Sequence, residues 1–421
     1  MQQFPDAHHL MITGGSFCQT QNVYRGRDTG LHILEKYIAA DAIFDSAERF
    51  PPAQCHPGTR KRIIDTIMEW IDDPSPEKQT LWLHGPAGAG KSAIGHTIAT
   101  MLKDQPISRK YGSSFFFAKG APGRGDGNKL FATIAYELAM NFTEYREALD
   151  AVMQESLSKR VHRWPSHHPT IIIDGLDECA GGKCIQSAIL STISNAIIQH
   201  SIPLRFLIIS RPEYWIFDAF EIGCLSSVVK CLSLNDDLDA YDGVKSYLRD
   251  EFNRIYDENI KLMSSTPRPW PEEHIIDRFV RSASGQFIYA STVLNFVGDS
   301  PHCNPLDQLH ILDMAGPHEA SAFTQLDSLY AAILSSYPRW DSLKRVLTTI
   351  LLKCTMSDAV MQHVFDIPPA ELHQILRSMQ SIIYRKEYIC PPIFQKLEPI
   401  FGSPVHEGSG YHFITSPLGN S

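Results

Sequence analysis

The sequence predicts an α/β fold: a five-stranded, doubly wound parallel sheet, followed by a helical domain and a winged-helix unit. Three observations carry this expectation. Apolar runs such as Ile171–Ile173 and Phe206–Ile209 have strand length and are nearly unbroken, as strands covered on both faces must be. Beyond Pro76 such runs alternate with helical patterns, which is the cadence of parallel strands joined by helical crossovers. Beyond Asn235 the strand signal fades and helices take over.

In chain order, residues 1–30 are polar, turn-rich and without periodicity, a loose N-terminal segment. Residues 31–76 read as a helical lead-in. Leu31, Leu34, Tyr37, Ile38 and Ala42 suggest a short helix between Leu31 and Arg49, broken by Pro51-Pro52. Ile63, Ile64, Ile67, Met68 and Ile71 form the apolar stripe of a second helix, ended by Asp72-Asp73-Pro74. The α/β domain spans 77–235, with predicted strands Thr80–His84, Ser113–Ala118, Thr170–Asp174, Arg205–Ser210 and Val228–Leu232. Its predicted helices are Lys91–Lys103, Lys129–Met140, Ile185–Gln199 and Glu213–Phe220. A helical domain follows at 236–340, with helices at Tyr241–Tyr256, Glu272–Ser284, Phe287–Val297 and Leu326–Ser335. At 341–421, helices from Trp340 to Cys354 and Pro368 to Ser378 precede β-like pieces at Ser381–Tyr384 and Tyr411–Thr415, a winged-helix cadence.

Composition narrows the partners. Lys+Arg 38 against Asp+Glu 47 gives a net charge of -9, so no global basic field exists to hold a nucleic acid or an anionic membrane. No apolar run approaches the roughly 18 residues of a membrane-spanning helix, and the N-terminus lacks the cationic and apolar regions of a signal peptide. Nine cysteines without a CxxC pair fit a reducing compartment, so the expected location is cytoplasmic. Cys179 with Cys184, and Cys55 with His56, lack zinc-ligand spacing and read as ordinary thiols.

Chemistry concentrates at two strand ends. Gly85-Pro-Ala-Gly-Ala-Gly-Lys-Ser92 fits G-x-x-x-x-G-K-[ST] between a predicted strand and a predicted helix. Gly85, Gly88 and Gly90 let the backbone curl around an anion, and the helix opening at Lys91 aims its positive end at the same point. Lys91 adds a cation for the β- and γ-phosphates and Ser92 a hydroxyl for Mg2+. The second half is Asp174, which emerges from three isoleucines at the strand's C-terminal edge and suits a Mg2+ ligand. The next residue, Gly175, offers no side chain as a base for the attacking water. Asp177 and Glu178 can substitute if the chain turns at Gly175, which predicts slow hydrolysis. Arg211, leaving the fourth strand beside Asp174, has two readings: reaching a γ-phosphate, or an ion pair with Glu213 or Asp218.

The segments AADAIFDSAERFPPAQCHPGTR, GPAGAGKS, SSFFFAKG, LFATIAYELA, IIIDGLDEC, FLIISRPE and SGQFIYAST resemble the NACHT class of STAND P-loop NTPases. The resemblance is strongest to fungal NACHT proteins with a nephrocystin 3-like N-terminal domain, and runs from about Gly30 to about Leu376. It implies a sheet of the additional-strand P-loop type and a nucleotide-controlled signalling switch, often in self/non-self recognition or cell death. It further implies Mg2+ with ATP or GTP as ligand, protein partners of unknown identity and a nucleotide-dependent oligomer. Carried over by residue, Lys91 and Ser92 hold phosphates and Mg2+, Asp174 holds Mg2+, Arg211 is a sensor arginine, and Cys55–Arg60 lies where relatives touch the base. Phe287 stands where relatives carry a proline, and the stretch from Leu149 to Thr170 is shorter than in the family. Relatives continue into WD40, ankyrin or TPR repeats; none is present, so 341–421 reads as truncated. The rival readings are a small-molecule kinase and a degenerate nucleotide-binding scaffold without turnover.

Overall fold

A computed structural model describes residues 30–49, 52–74, 77–105, 109–153, 168–223, 225–236, 239–298 and 304–314, with shorter stretches between 327 and 389. Five strands form one sheet: β1 (Thr80–His84), β2 (Tyr111–Phe116), β3 (Thr170–Asp174), β4 (Arg205–Ser210) and β5 (Val229–Ser233). Their order is β2-β3-β4-β1-β5, and every pairing is parallel. The strand after Asp174 is therefore inserted between the two that carry the motifs. Strands β1, β3 and β4 match the sequence pattern residue for residue. β2 lies two residues earlier than predicted, because the Ala118 N–H leaves the ladder and donates to the Arg124 carbonyl at 3.2 Å.

Alternation along the strands sorts the side chains onto two faces. Leu81, Leu83, Phe116, Ile172, Leu207 and Ile209 pack under α2 (Lys61–Asp72) and α3 (Lys91–Lys103). Trp82, Phe115, Ile171, Ile173, Phe206 and Ile208 pack against α4 (Leu130–Asn141), α6 (Gly182–Ile198) and α7 (Tyr214–Glu221). Each fully buried aliphatic side chain contributes about 1.5–3 kcal/mol. Asp174 follows the same alternation, so its carboxylate emerges on the α3 face beside Phe116, its register partner on β2.

The lead-in corrects one expectation. In place of one helix between Leu31 and Arg49, α1 (Gly30–Leu34) stops early and two single 3-10 turns follow, Ala40–Ala42 and Ala47–Arg49. Side chains of the α/β domain take the N–H groups a helix would have used: Ala39 donates to Thr133 Oγ1 and Phe44 to Ser114 Oγ, each at 3.0 Å. The Phe44 ring sits near Tyr111 and His96, and a His96 ring nitrogen pairs with the Phe44 carbonyl at 3.2 Å. At the other end of the lead-in, the buried Arg205 guanidinium donates to the carbonyls of Ile71 and Asp73, where the C-terminus of α2 needs positive charge.

A second core unites α8 (Ala240–Glu258), α9 (Glu273–Ala283) and α10 (Phe287–Gly298) through Val244, Phe252, Phe279 and Val293. Leu343, Val346 and Leu347 of the helix Trp340–Leu351 join it. Among the described residues, three helices escaped the sequence pattern: α5 (Thr143–Met153), which follows α4 after one residue, α11 (Pro305–Met314) and the helix Asp358–Phe365. The second had a legible start, since Asn304 Oδ1 accepts from the Leu306 N–H at 3.1 Å ahead of a proline in the first turn. Near the end, Ile383–Tyr384 and Tyr388–Ile389 form a two-stranded antiparallel ribbon. The loose segment 1–29, the predicted strand Tyr411–Thr415 and most of the predicted helices Leu326–Ser335 and Pro368–Ser378 lie outside the described residues. Among the described residues, no helix is long and apolar enough to cross a membrane.

One buried carboxylate ties α4, β2 and the lead-in together. Glu137 accepts from Tyr111 Oη, Ser113 Oγ and the Ser114 N–H at 2.8–2.9 Å, and Ser114 Oγ in turn receives Phe44. Burial pushes Glu137 up to about 7 despite these donors. Truncation by Glu137→Ala strands three buried donors and is expected to cost ~3 kcal/mol, read by chemical denaturation. Because the folded-state value is raised, the contribution is complete below about 4.5 and is lost as pH rises through about 7. Thermal melts at mildly acidic and mildly alkaline pH should therefore show a smaller fall in stability for Glu137→Gln than for wild type; an equal fall refutes the assignment.

Candidate functional site

The loop between β1 and α3 is shaped by its glycines. Gly88 and Gly90 adopt φ of +77° and +88°, and Gly90 is the residue that caps α3. A Cβ on Gly88 would lie 2.3 Å from Ile288, so the position excludes side chains on both counts. Lys91 Nζ donates to the carbonyls of Gly85 and Pro86 at 2.8 Å each, which anchors the ammonium inside the loop. Burial lowers its pKa, opposed mainly by Asp177. A half-buried cation beside the N-terminus of a thirteen-residue helix is an anion-seeking arrangement.

Asp174 is 4% exposed, and one carboxylate oxygen, Oδ1, is buried without a hydrogen-bond partner among the described residues. Burial lifts its pKa to about 6, with a hydrogen bond from the Ser92 hydroxyl as the largest opposing influence. An orphaned buried carboxylate oxygen next to a serine hydroxyl is the hard, oxygen-only donor set that suits Mg2+. The residues present therefore fit that ion.

The turn after Asp174 separates the two downstream acids. Gly175 has φ +70°, its N–H donates to Ile209 O at 2.9 Å, and a single 3-10 turn, Leu176–Glu178, follows. Asp177 is consumed by Arg211: its Oδ1 accepts the Arg211 N–H at 2.9 Å and its Oδ2 lies 3.3 Å from Nε. Arg211 thus pairs with Asp177 in place of the predicted Glu213 or Asp218. With its side chain 7% exposed and committed to a guanidinium, Asp177 is poorly placed to take a proton from water. Glu178 receives the Lys119 N–H at 3.2 Å, and burial followed by the Asp177 charge raises its pKa. Of the two acids, Glu178 is the one not paired with Arg211, which leaves it better placed as a general base.

Across from the loop sits the start of α10. The Ile288 N–H donates to Gly88 O at 3.2 Å, joining the helical domain directly to the glycine loop. Arg60, in a left-handed conformation at the start of α2, donates from one nitrogen to Ala89 O at 2.7 Å and Gly285 O at 3.3 Å. Its guanidinium lies 5.0 Å from the Phe287 ring centroid, and Phe287 in turn neighbours Tyr247. Lead-in, loop and helical domain thus meet on one arginine side chain.

The structure brings Gly85, Gly88, Gly90, Lys91, Ser92, Asp174, Asp177, Glu178 and Arg211 to one end of the sheet, with Arg60 bound to the same loop. It adds two residues to which the sequence reading assigns no role. Arg49 lies 3.6 Å from the Phe116 ring centroid, and Arg124 Nε donates to Phe116 O at 3.2 Å. Neither belongs to a periodic element, so pattern reading passes over both.

Residues 58–211 match the family described as Nephrocystin 3, N-terminal. No curated protein is significantly similar to the sequence. Among solved structures, the chain is similar to a Walker-type ATPase of Pyrococcus abyssi at 14% identity and TM-score 0.35, over 80% of this chain and 94% of that one. It is also similar to AMPPCP-bound DnaA from Aquifex aeolicus at 12% identity and TM-score 0.27, over 86% and 97%. Drosophila ORC bound to DNA matches at 10% identity and TM-score 0.29, over 94% and 85%. The segment 58–211, with its inserted fourth strand and its glycine loop opening α3, is thus similar to the nephrocystin 3 N-terminal family.

Proposed function

We propose that this chain is a NACHT-type switch that binds ATP or GTP with Mg2+, hydrolyses it slowly, and signals through the position of its helical domain. The observation that carries the reading is the convergence of a half-buried Lys91 and a buried, half-orphaned Asp174 with Ser92 at the head of α3. Lys91 would grip the β- and γ-phosphates, and Ser92 and Asp174 would hold the ion that neutralises phosphate charge. Glu178 orients and deprotonates the attacking water, while Arg211 stays tied to Asp177 until a γ-phosphate competes for it. Slow turnover fits a base that stands four residues past Asp174 and has no partner acid to spare.

The switch reading rests on the seam. Ile288 N–H on Gly88 O and Arg60 on Ala89 and Gly285 couple loop shape to helical-domain position, so a nucleotide that reshapes the loop biases the seam. Protein partners and a nucleotide-dependent oligomer follow from the same proposal, and the net charge of -9 argues against nucleic acid as the ligand.

Calorimetry with MgATP and MgGTP tests it. Lys91→Ala is expected to weaken binding by at least about tenfold, the loss of one charge-assisted contact. Glu178→Gln should keep binding and slow hydrolysis by roughly 100-fold or more. Wild-type protein that binds no purine nucleotide in the presence of magnesium would overturn the reading, and unchanged turnover in Glu178→Gln would remove Glu178 from its role.

A further inference from the structure

Arg49 and Arg124 come from segments with no repeating pattern, the lead-in and the loop between β2 and α4, yet they meet at Phe116. Arg49 lies over the ring at 3.6 Å and donates to Phe44 O at 3.4 Å, while Arg124 Nε holds the Phe116 carbonyl. Phe116 is the register partner of Asp174, and the Phe117 N–H donates to Asp174 O at 2.8 Å. Both guanidiniums therefore stand at the strand end that carries Asp174, on the side away from Arg211.

The lead-in does not reach this place by chance packing. Ala39 and Phe44 are hydrogen-bonded to Thr133 and Ser114, and the Phe44 ring sits among Tyr111 and His96, so the Ala47–Arg49 turn is held at its base. Two like charges drawn together in a partly buried place cost free energy unless an anion joins them. Among the described residues, neither guanidinium has a carboxylate within 4.0 Å. Burial, and next the nearby Arg124, push Arg49 down to about 10, with Asp174 pulling the other way. Asp174 and Glu178 are in electrostatic reach of the pair, but Asp174 is itself a magnesium-type ligand and Glu178 a candidate base. Neither neutralises two arginines.

We propose that Arg49 and Arg124 form a pair, supplied from within the same chain, that receives the terminal phosphate of a bound nucleoside triphosphate. This rests on the nucleotide-site reading above and adds a consequence. A diphosphate leaves the pair unmatched, so the lead-in distinguishes triphosphate from diphosphate, and it does so from the edge of the site opposite Arg211. Arginine is suited to the task because its planar fork gives two parallel donors to phosphate oxygens while its face stays stacked on Phe116.

The test compares affinities of the full chain for ADP and for a non-hydrolysable ATP analogue, both with magnesium, in wild type, Arg49→Ala, Arg124→Ala and Arg49→Lys. Each alanine variant is expected to weaken the triphosphate analogue at least about tenfold while ADP changes by less than about twofold. Arg49→Lys should fall between wild type and Arg49→Ala, since it keeps the charge but not the fork. A merely structural role would shift both nucleotides together. Equal weakening of the two ligands, or no change in either, overturns the proposal while leaving the site reading intact; a wild-type chain that binds neither ligand sinks both. If Arg49→Ala does not fold, Arg124→Ala and Arg49→Lys decide by the same ratio.

Discussion

Placing the Asp174 carboxylate at the end of an apolar strand, out of water, is the act on which the rest of the architecture turns. Three isoleucines drive β3 into the interior of the sheet, between β2 and β4, and the acid that ends it goes with them. An isolated buried carboxylate is penalised by several kcal/mol, and its rise to about 6 records that penalty. Everything around it is a partial answer: the Ser92 hydroxyl, the guanidinium of Arg49, the ammonium of Lys91 and the head of α3. The remaining deficit, one orphaned oxygen, is what makes the place receptive to a cation and its anionic ligand.

The turn that follows determines how much chemistry the site can do. A left-handed glycine releases the chain from the strand within one residue, and the 3-10 turn then sends Asp177 and Glu178 to different neighbours. Asp177 becomes part of a structural pair with Arg211, while Glu178 is held by a backbone N–H and kept basic by burial. Adjacent acids of the same chemical type thus acquire unlike roles from direction alone.

Coupling to the rest of the chain passes through few atoms. The glycine loop offers carbonyls, not only N–H groups, and those of Gly88 and Ala89 are taken by Ile288 and Arg60. Because Gly88 leaves no room between loop and α10, a change in loop curvature has to move one against the other. A close-packed contact of this kind is what the proposed switch requires.

Much of this was legible from residues alone. Unbroken apolar runs located β1, β3 and β4 to the residue, and the spacing of glycines, Lys91 and Ser92 located the loop, because strand burial and anion binding each demand particular residue types in consecutive positions. The lead-in was misread as one helix, since its N–H groups are claimed by Thr133 and Ser114, residues distant in sequence. Arg49, Arg124 and the choice between Asp177 and Glu178 were likewise invisible. Local order depends on neighbours along the chain, and the sequence by itself determined that. Which charges face one another depends on the parallel crossovers that bring separate loops to one edge of the sheet, and only the tertiary structure decided it.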